Sequence, residues 1–182
     1  MWKVYTKTGD SGLTSTAKNT RIPKDSILIE LQGGIDEINA SIGYLRSLIY
    51  PKNNFHSIDK ELKEIQHTIF LLGSEVSFNL EKTFVNSEHI SFLENRIDFM
   101  TNISPELNSF IYCSGTTEST YSHVIRTIIR RVERCFVTVL RELNQNTYPH
   151  SYMYVNRLSD YFFALGRYIN SIDGFLEEPL TI

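Results

Sequence analysis

The sequence has few cysteines, no long apolar run and no excess of basic residues. Its two cysteines, Cys113 and Cys135, lie in neither a CxxC nor a Cys/His zinc spacing, so we expect free thiols in a reducing, cytoplasmic setting. Apolar runs such as residues 69–72 are far shorter than a membrane span, and the first residues lack the apolar core of a signal peptide. With 18 basic against 21 acidic residues, the net charge of -3 argues against nucleic-acid and membrane partners. Any site for a polyanion must therefore be local.

Helical periodicity covers most of the 182 residues. Apolar side chains recur at spacings of three and four in stretches that begin near residues 26, 57, 87, 119 and 151, while residues 101–118 break the pattern. The length suits one domain. We expect an all-α fold, a five-helix up-and-down bundle in a single domain spanning residues 1–182. Its parts are an irregular N-terminal segment at 1–25, the bundle at 26–173 and a tail at 174–182.

Two adjacent glycines, Gly33 and Gly34, lie inside the first predicted helix. Each costs roughly 1 kcal/mol relative to alanine in a helix. We therefore expect a close approach of backbone or ligand at this pair.

The stretch HVIRTIIRRVER, residues 123–134, concentrates charge on a helix that also has an apolar face. On a helical wheel, Ile125, Ile129 and Val132 fall on the apolar arc. The other arc carries Arg126, Arg130 and Arg134 together with His123 and Glu133. Such a face is either simply solvated or arranged to bind a multivalent anion, which the planar guanidinium holds well.

The N-terminal stretch YTKTGDSGLTS, residues 5–15, combines two glycines with hydroxyl side chains and Lys7. Glycines let backbone N–H groups converge on an anion, and the hydroxyls and lysine add donors. The stretch lacks the Walker A pattern, so it is either a phosphate-binding loop or an ordinary turn.

The last predicted helix places Phe163 among the polar residues Asn156, Asp160 and Arg167, which is typical of a surface that meets a ligand or a partner subunit. An ExxH spacing at Glu64 and His67 has no second copy, so we expect no di-iron site.

In their order and spacing, five segments resemble the PduO-type ATP:cob(I)alamin adenosyltransferases. The segments are YTKTGDSGLT at 5–14, RIPK at 21–24, GIDEIN at 34–39 with Gly43, residues 123–134, and NRLSDY at 156–161. The resemblance implies a homotrimer of five-helix bundles with active sites between subunits. It also implies transfer of the 5'-deoxyadenosyl group from ATP to the cobalt of cob(I)alamin, which makes adenosylcobalamin and releases triphosphate.

The resemblance implies a role for individual residues. The implied ATP-binding residues are Thr6, Lys7, Thr8, Gly9, Asp10, Ser11, Gly12, Leu13, Thr14, Ser15, Lys24, Arg130, Arg131, Glu133, Arg134 and Asn156. The implied cobalamin-binding residues are Asp36, Phe110, Arg126 and Phe163. Among these, Arg130, Arg134, Phe110, Asp36 and Arg126 are the expected catalytic set, in which Asp36 and Arg126 join neighbouring subunits and Phe110 helps to expel the lower axial ligand of the corrin.

The resemblance also implies the substrates ATP and cobalamin and the cofactor Mg²⁺. We expect the ATP phosphates, rather than the protein, to hold the Mg²⁺. A cobalamin reductase and an adenosylcobalamin-dependent enzyme are the expected further partners.

The sequence departs from the family pattern beside the corrin residues. Where the family usually has a proline and two glycines after the phenylalanine, this chain has Tyr112-Cys113-Ser114-Gly115. A second hypothesis is a non-catalytic module that binds ATP or adenosylcobalamin for delivery or sensing. A third, nucleic-acid binding through the arginine face, conflicts with the acidic net charge.

Overall fold

The apolar stripes of the sequence become the buried faces of helices. The computed structural model describes residues 3–180. Within them the chain forms, in order, β1 (Leu13–Ser15), β2 (Arg21–Pro23), α1 (Ile27–Ile49), a 3-10 turn (Asn53–Phe55), α2 (His56–Ser77), α3 (Ser87–Ile103), α4 (Thr117–Glu142) and α5 (His150–Ile172). The expected five helices are confirmed. In the described part of the chain, no helix is long and apolar enough to cross a membrane.

The N-terminal segment, which we expected to be irregular, contains a short antiparallel hairpin. β1 pairs with β2 so that Thr14 lies opposite Ile22. The turn docks on the end of α2, where the amide of Ala17 donates to the carbonyl of Ser77 at 3.2 Å. Strands of three residues are too short to show an alternating pattern, which is why the sequence did not reveal them.

α1 and α4 pack closely and run in opposite directions. Gly34 of α1 lies against Val132 of α4, where a Cβ on the glycine would approach Cγ2 of the valine to 2.7 Å. Almost three turns further along α1, the rings of Tyr44 and Tyr121 meet edge to face at 4.8 Å. The expected close approach is therefore real at Gly34. At Gly33 a Cβ would meet nothing within 4 Å.

α4 uses its apolar arc as predicted. Ile125, Ile129 and Val132 are buried, and Phe136 and Leu140 continue the same stripe. α4 ends at Glu142, and the next residue, Leu143, is 36% exposed. The opposite face of α4 is left at the surface, next to α5.

Candidate functional site

The loop before β1 is held in shape by Arg21 of β2 and by Lys24, the residue that follows β2. The guanidinium of Arg21 donates to the carbonyl of Thr8 at 2.5 Å and to the hydroxyl of Ser15 at 3.3 Å. The backbone amide of Lys24 donates to the carbonyl of Gly12 at 2.9 Å, and its ammonium lies over Gly9. A Cβ at Gly9 would approach that ammonium nitrogen to 2.8 Å, so glycine lets the cation lie against the loop backbone.

This loop exposes donors and positive charge to solvent. Thr6 and Thr8 share a hydrogen bond between their hydroxyls at 2.9 Å, and both are exposed. Lys7 and Gly12 take positive φ values of 62° and 78°, which curl the backbone between them. An exposed, curled loop with lysine and hydroxyl donors suits a phosphate group.

Two arginines of α4 are exposed and lack acidic partners in the described chain. Among residues 3–180, neither Arg130 nor Arg134 forms an ion pair. A guanidinium N–H of Arg134 donates to the carbonyl of Arg130 at 2.9 Å, one turn earlier. Like charges at this spacing repel, so the pair is available to an anion.

Arg131 has a different environment from its two neighbours. Its guanidinium forms an exposed ion pair with Glu37 of α1 at 2.5 Å. The resemblance placed Arg131 at the triphosphate, and the structure places it against α1. Its role toward ATP stays a prediction, and an exposed pair of this kind contributes less than about 1 kcal/mol.

Glu133 joins α4 to α5. Its Oε1 accepts from the side-chain amide of Asn156 at 2.7 Å and from the hydroxyl of Tyr152 at 3.4 Å. Burial and the Glu133 carboxylate raise the pKa of Tyr152. Asn156 is exposed and uses one N–H on Glu133, so its carbonyl oxygen and second N–H have no partner among the contacts of residues 3–180.

His123 is buried, although the helical wheel placed it with the exposed arginines. It is 4% exposed, and Nδ1 has no hydrogen-bond partner in the described chain. Burial, with Arg126 as the second cause, lowers its pKa to about 4. The ring is therefore neutral at pH 7. It fits because Gly166 of α5 leaves space for it: a Cβ there would lie 3.0 Å from Nε2.

Arg126 lies at the other end of the arginine face, against aromatic and sulfur atoms. Its guanidinium carbon is 5.9 Å from the ring centroid of Phe163, and an N–H points to Sγ of Cys113 at 3.7 Å. The ring of Phe163 also contacts His123 at 5.9 Å between centroids. The half-buried Phe163 thus separates a buried neutral imidazole from a partly exposed cation.

Phe110 is held through its backbone, while its side chain is 76% exposed. The residue after it, Ile111, forms an isolated antiparallel bridge with Pro179 of the C-terminal tail. A large aromatic in this position suits a surface that another molecule covers. Both cysteines are free, and Cys113, three residues after Phe110, is exposed.

Asp36 lies at a cavity between the hairpin and α1 and α2. The cavity has a volume of about 650 Å³, within the range of small-molecule sites. Its lining includes Asp36, Gly33, Asn39, Phe70 and Thr14. Since β1 borders the same cavity, the predicted ATP loop and Asp36 lie on one side of the protomer.

The predicted site residues thus form two groups in one chain. One comprises the N-terminal loop, Lys24 and the cavity with Asp36. The other comprises the exposed arginines of α4 with Asn156, Phe163 and Phe110. Among residues 3–180 no ion pair or hydrogen bond joins Asp36 to Arg126, or the loop to Arg130 or Arg134.

Sequence reasoning missed several residues that shape these groups. Arg21 binds the N-terminal loop, Glu37 binds Arg131, and Tyr152 donates to Glu133. Arg167 and Glu177 form an ion pair next to the segment that contains Phe110. The quoted RIPK stretch contained Arg21, so its spacing from the loop was a usable signal. The other contacts join residues far apart in the sequence, and periodicity does not report them.

Comparisons with known proteins show the family of the chain. Residues 4–169 match the cobalamin adenosyltransferase family model. The chain is 38% identical to the corrinoid adenosyltransferase of Bacillus subtilis over 94% of this chain and 89% of the relative. It is 36% identical to the human corrinoid adenosyltransferase MMAB over 97% of this chain and 72% of the relative.

A solved structure is similar over nearly the full length. A variant of the PduO-type ATP:corrinoid adenosyltransferase from Lactobacillus reuteri, complexed with cobalamin and ATP, matches with a TM-score of 0.92 and 32% identity. The match covers 99% of this chain and 100% of the other. The fold is that of a helical corrinoid adenosyltransferase, and the chain belongs to the cobalamin adenosyltransferase family. The resemblance seen in the motifs is confirmed.

Proposed function

We propose that the chain transfers the 5'-deoxyadenosyl group of ATP to the cobalt of cob(I)alamin, in a site built by two neighbouring copies within a homotrimer of up-and-down bundles. The observation that carries the proposal is the exposed pair Arg130 and Arg134, on a helix whose other face is core. Two guanidiniums without acidic partners among residues 3–180 fit a departing triphosphate.

The separation of the two groups within one chain supports a site shared between copies. Among residues 3–180, no hydrogen bond or ion pair joins Lys24 and the hydroxyl loop to the two free arginines of the same protomer. A cyclic trimer brings the loop of each copy against the arginines of the next. In that arrangement Asp36 of one copy pairs with Arg126 of its neighbour, which leaves neither charge unpaired at the interface.

The chemistry needs positioning more than a side-chain base. Cobalt(I) supplies the electron pair for the new cobalt–carbon bond to C5', and cobalt becomes formally cobalt(III). The C5'–oxygen bond breaks at the same time, and its electron pair leaves with the triphosphate. The protein must hold C5' in line with cobalt and stabilise a leaving group of about four negative charges. Lys7, Lys24, Arg130 and Arg134 supply those cations.

The corrin is proposed to lie between the cavity of one copy and the aromatic face of the other. Phe110 and Phe163 cover the lower face, and Phe110 displaces the axial ligand of cob(II)alamin so that its reduction becomes easier. The exposure of Phe110 supports this assignment, because the side chain is free to meet a ligand. The free thiols fit the reducing cytoplasm that cob(I)alamin requires.

Mg²⁺ enters the proposal as an ion carried by ATP. Among residues 3–180 no group of three or more His, Cys, Asp or Glu side chains is arranged to hold a metal. Phosphate oxygens are ligands that Mg²⁺ accepts readily, and the ion would reduce the charge of the leaving group.

An anaerobic assay tests the proposal. Purified protein receives ATP, Mg²⁺ and chemically reduced cobalamin, and adenosylcobalamin is followed by its visible absorbance while triphosphate is quantified separately. We expect both products in equal amounts. Tight binding of ATP and adenosylcobalamin in calorimetry without turnover would instead identify a delivery or sensor module.

A further inference from the structure

We propose that the C-terminal residues 177–180, here called the strap, hold Phe110 in its working position, and that Arg167 is the positioning residue that anchors the strap. The inference deepens the proposed function and rests on it. It concerns residues that neither the motifs nor the family resemblance singled out.

Arg167 binds the strap and the Phe110 segment at once. Its side chain belongs to α5 and is buried, with 3% of the residue exposed. The guanidinium forms a two-pronged ion pair with Glu177, with both N···O distances 2.8 Å. The same Nη2 donates to the carbonyl of Pro105 at 2.6 Å, where the segment that leads to Phe110 begins.

The strap then pairs with the backbone of Phe110 and Tyr112, on both sides of Ile111. The amide of Tyr112 donates to the carbonyl of Glu178 at 3.0 Å, and the amide of Leu180 donates to the carbonyl of Phe110 at 2.7 Å. Ile111 and Pro179 face each other in the resulting bridge. These contacts fix the backbone of Phe110 without using its ring.

The far end of the segment is fastened to α5 by Asn170. Its amide donates to the carbonyl of Ser114 at 3.0 Å, and its carbonyl accepts from the amide of Thr116 at 3.2 Å. Gly115 has a φ of +133°, and a Cβ there would lie 2.0 Å from Oδ1 of Asn170. The segment from 105 to 116 is thus fixed at both ends, by Arg167 at Pro105 and by Asn170 at 114–116. The strap fixes the middle of the segment through its backbone hydrogen bonds.

The charge balance explains why the strap depends on Glu177. A buried guanidinium that loses its carboxylate is left with an uncompensated charge, which is strongly unfavourable. Glu178 is the next residue, is exposed, and contributes only its backbone carbonyl to the contacts within residues 3–180. Substitution of Glu177 removes the side-chain contact with Arg167, while substitution of the adjacent Glu178 removes a carboxylate that makes no such contact and serves as the control.

The test compares Glu177→Ala with Glu178→Ala in the full chain. The first readout is hydrogen exchange of a peptide spanning residues 108–114, which is independent of activity. We expect exchange to be about tenfold faster in Glu177→Ala than in the wild type and unchanged in Glu178→Ala. Equal exchange in the two variants would overturn the strap.

The second readout is the absorption spectrum of bound cob(II)alamin in the presence of ATP. We expect Glu177→Ala to lower the fraction without an axial ligand about tenfold, while the Kd for ATP stays within about twofold of the wild type. Arg167→Lys keeps the charge but not the two-pronged geometry and should give an intermediate spectrum. Loss of ATP binding together with the spectral change would instead indicate general unfolding and contradict a positioning role.

Failure of the proposed function would be recognised separately. In that case the wild type itself shows neither turnover nor a spectral change with cobalamin, whichever variant is compared. A wild type that is active, with Glu177→Ala matching Glu178→Ala in spectrum, overturns the inference and leaves the proposed function standing.

Discussion

The side-chain amide of Asn156 donates to Oε1 of Glu133 across 2.7 Å, which ties α5 to the arginine-bearing face of α4. Glu133 is half-buried, and Tyr152 is its second donor. The carboxylate is therefore occupied within the protomer rather than facing an anion. In the proposed nucleotide site, we expect Glu133 to orient Asn156.

Replacing Asn156 by Asp tests this relationship. Two carboxylates at that distance repel each other and would turn the side chain away from Glu133. We expect the KM for ATP to rise about tenfold or more, with the melting temperature nearly unchanged because the site is exposed. Asp160→Asn, one turn further along α5, is the control and should leave the KM for ATP as it is. A KM for ATP that does not move in Asn156→Asp would remove Asn156 from the nucleotide site.

Arg130→Ala and Arg134→Ala test the anion site directly. Since both side chains are exposed and outside the core, we expect folded proteins in which kcat/KM for ATP falls about a hundredfold. Arg141→Ala removes an exposed arginine from the last turn of the same helix and should behave as the wild type. Circular dichroism checks the fold. Unfolding of the two variants, rather than lost ATP use, would show that the arginines act structurally.

Asp36→Ala should affect cobalamin more than ATP. The proposed partner is the Arg126 of a neighbouring copy, beside the corrin, so the loss leaves a cation unpaired at the interface. We expect the KM for cobalamin to rise about tenfold, or the oligomer to weaken in analytical ultracentrifugation, at an almost constant Kd for ATP. Asp98→Ala, an exposed carboxylate on α3, is the control. Equal losses of both ligands would argue against the interface assignment.

The two adjacent glycines of α1 are expected to respond in opposite directions. At Gly34 an added methyl group meets Val132 at 2.7 Å, so Gly34→Ala should lower the free energy of unfolding by about 1–3 kcal/mol. At Gly33 nothing lies within 4 Å, and Gly33→Ala should raise it by roughly 0.5–1 kcal/mol through helix propensity. Urea unfolding measures both. Stabilisation by Gly34→Ala would show that α1 and α4 pack less closely.

His123 predicts a pH dependence of stability. Its pKa in the folded chain is about 4, below the ordinary 6.5, because burial and Arg126 disfavour the charged ring. The unfolded chain therefore binds the proton more readily. The contribution of the neutral His123 to the free energy of unfolding is fully present above pH 6.5. It decreases as the pH falls toward 4, by about 3 kcal/mol at pH 4.

The measurement for His123 is urea unfolding of the wild type and of His123→Gln between pH 7 and 4. Carboxylates titrate in both proteins, so the difference between the two isolates the imidazole. We expect the difference in the free energy of unfolding between the wild type and His123→Gln to decrease by about 3 kcal/mol between pH 7 and 4. A constant difference would show that His123 is protonated, or accessible, in the folded state.

The sequence predicted those parts of the fold that depend on local periodicity. α4 is the clearest example, since Ile125, Ile129 and Val132 are buried as the wheel indicated. His123 shows the limit of that method. Its angular position is polar, yet Gly166 on α5 leaves room for it against the core. A helical wheel does not show which residue of a neighbouring helix packs against a given side chain.

Long-range contacts account for the rest of what was missed. Arg167 was expected on an exposed face of α5, but the strap returns over it and Glu177 neutralises it. The residues of the candidate site came from motif resemblance rather than from physics alone. Only the structure shows that, among residues 3–180, no hydrogen bond or ion pair joins the N-terminal loop to Arg130 or Arg134.

In the proposed enzyme, two copies of the chain complete one adenosyl-transfer site. Lys24→Ala and Arg134→Ala remove one cation from each of the two groups and should each be nearly inactive alone. Coexpressed in equal amounts with different tags and purified as mixed oligomers, they should recover up to about a third of wild-type activity, because one of the three interfaces in each mixed trimer joins two intact halves. Mixed oligomers no more active than the separate variants would contradict a site shared between copies.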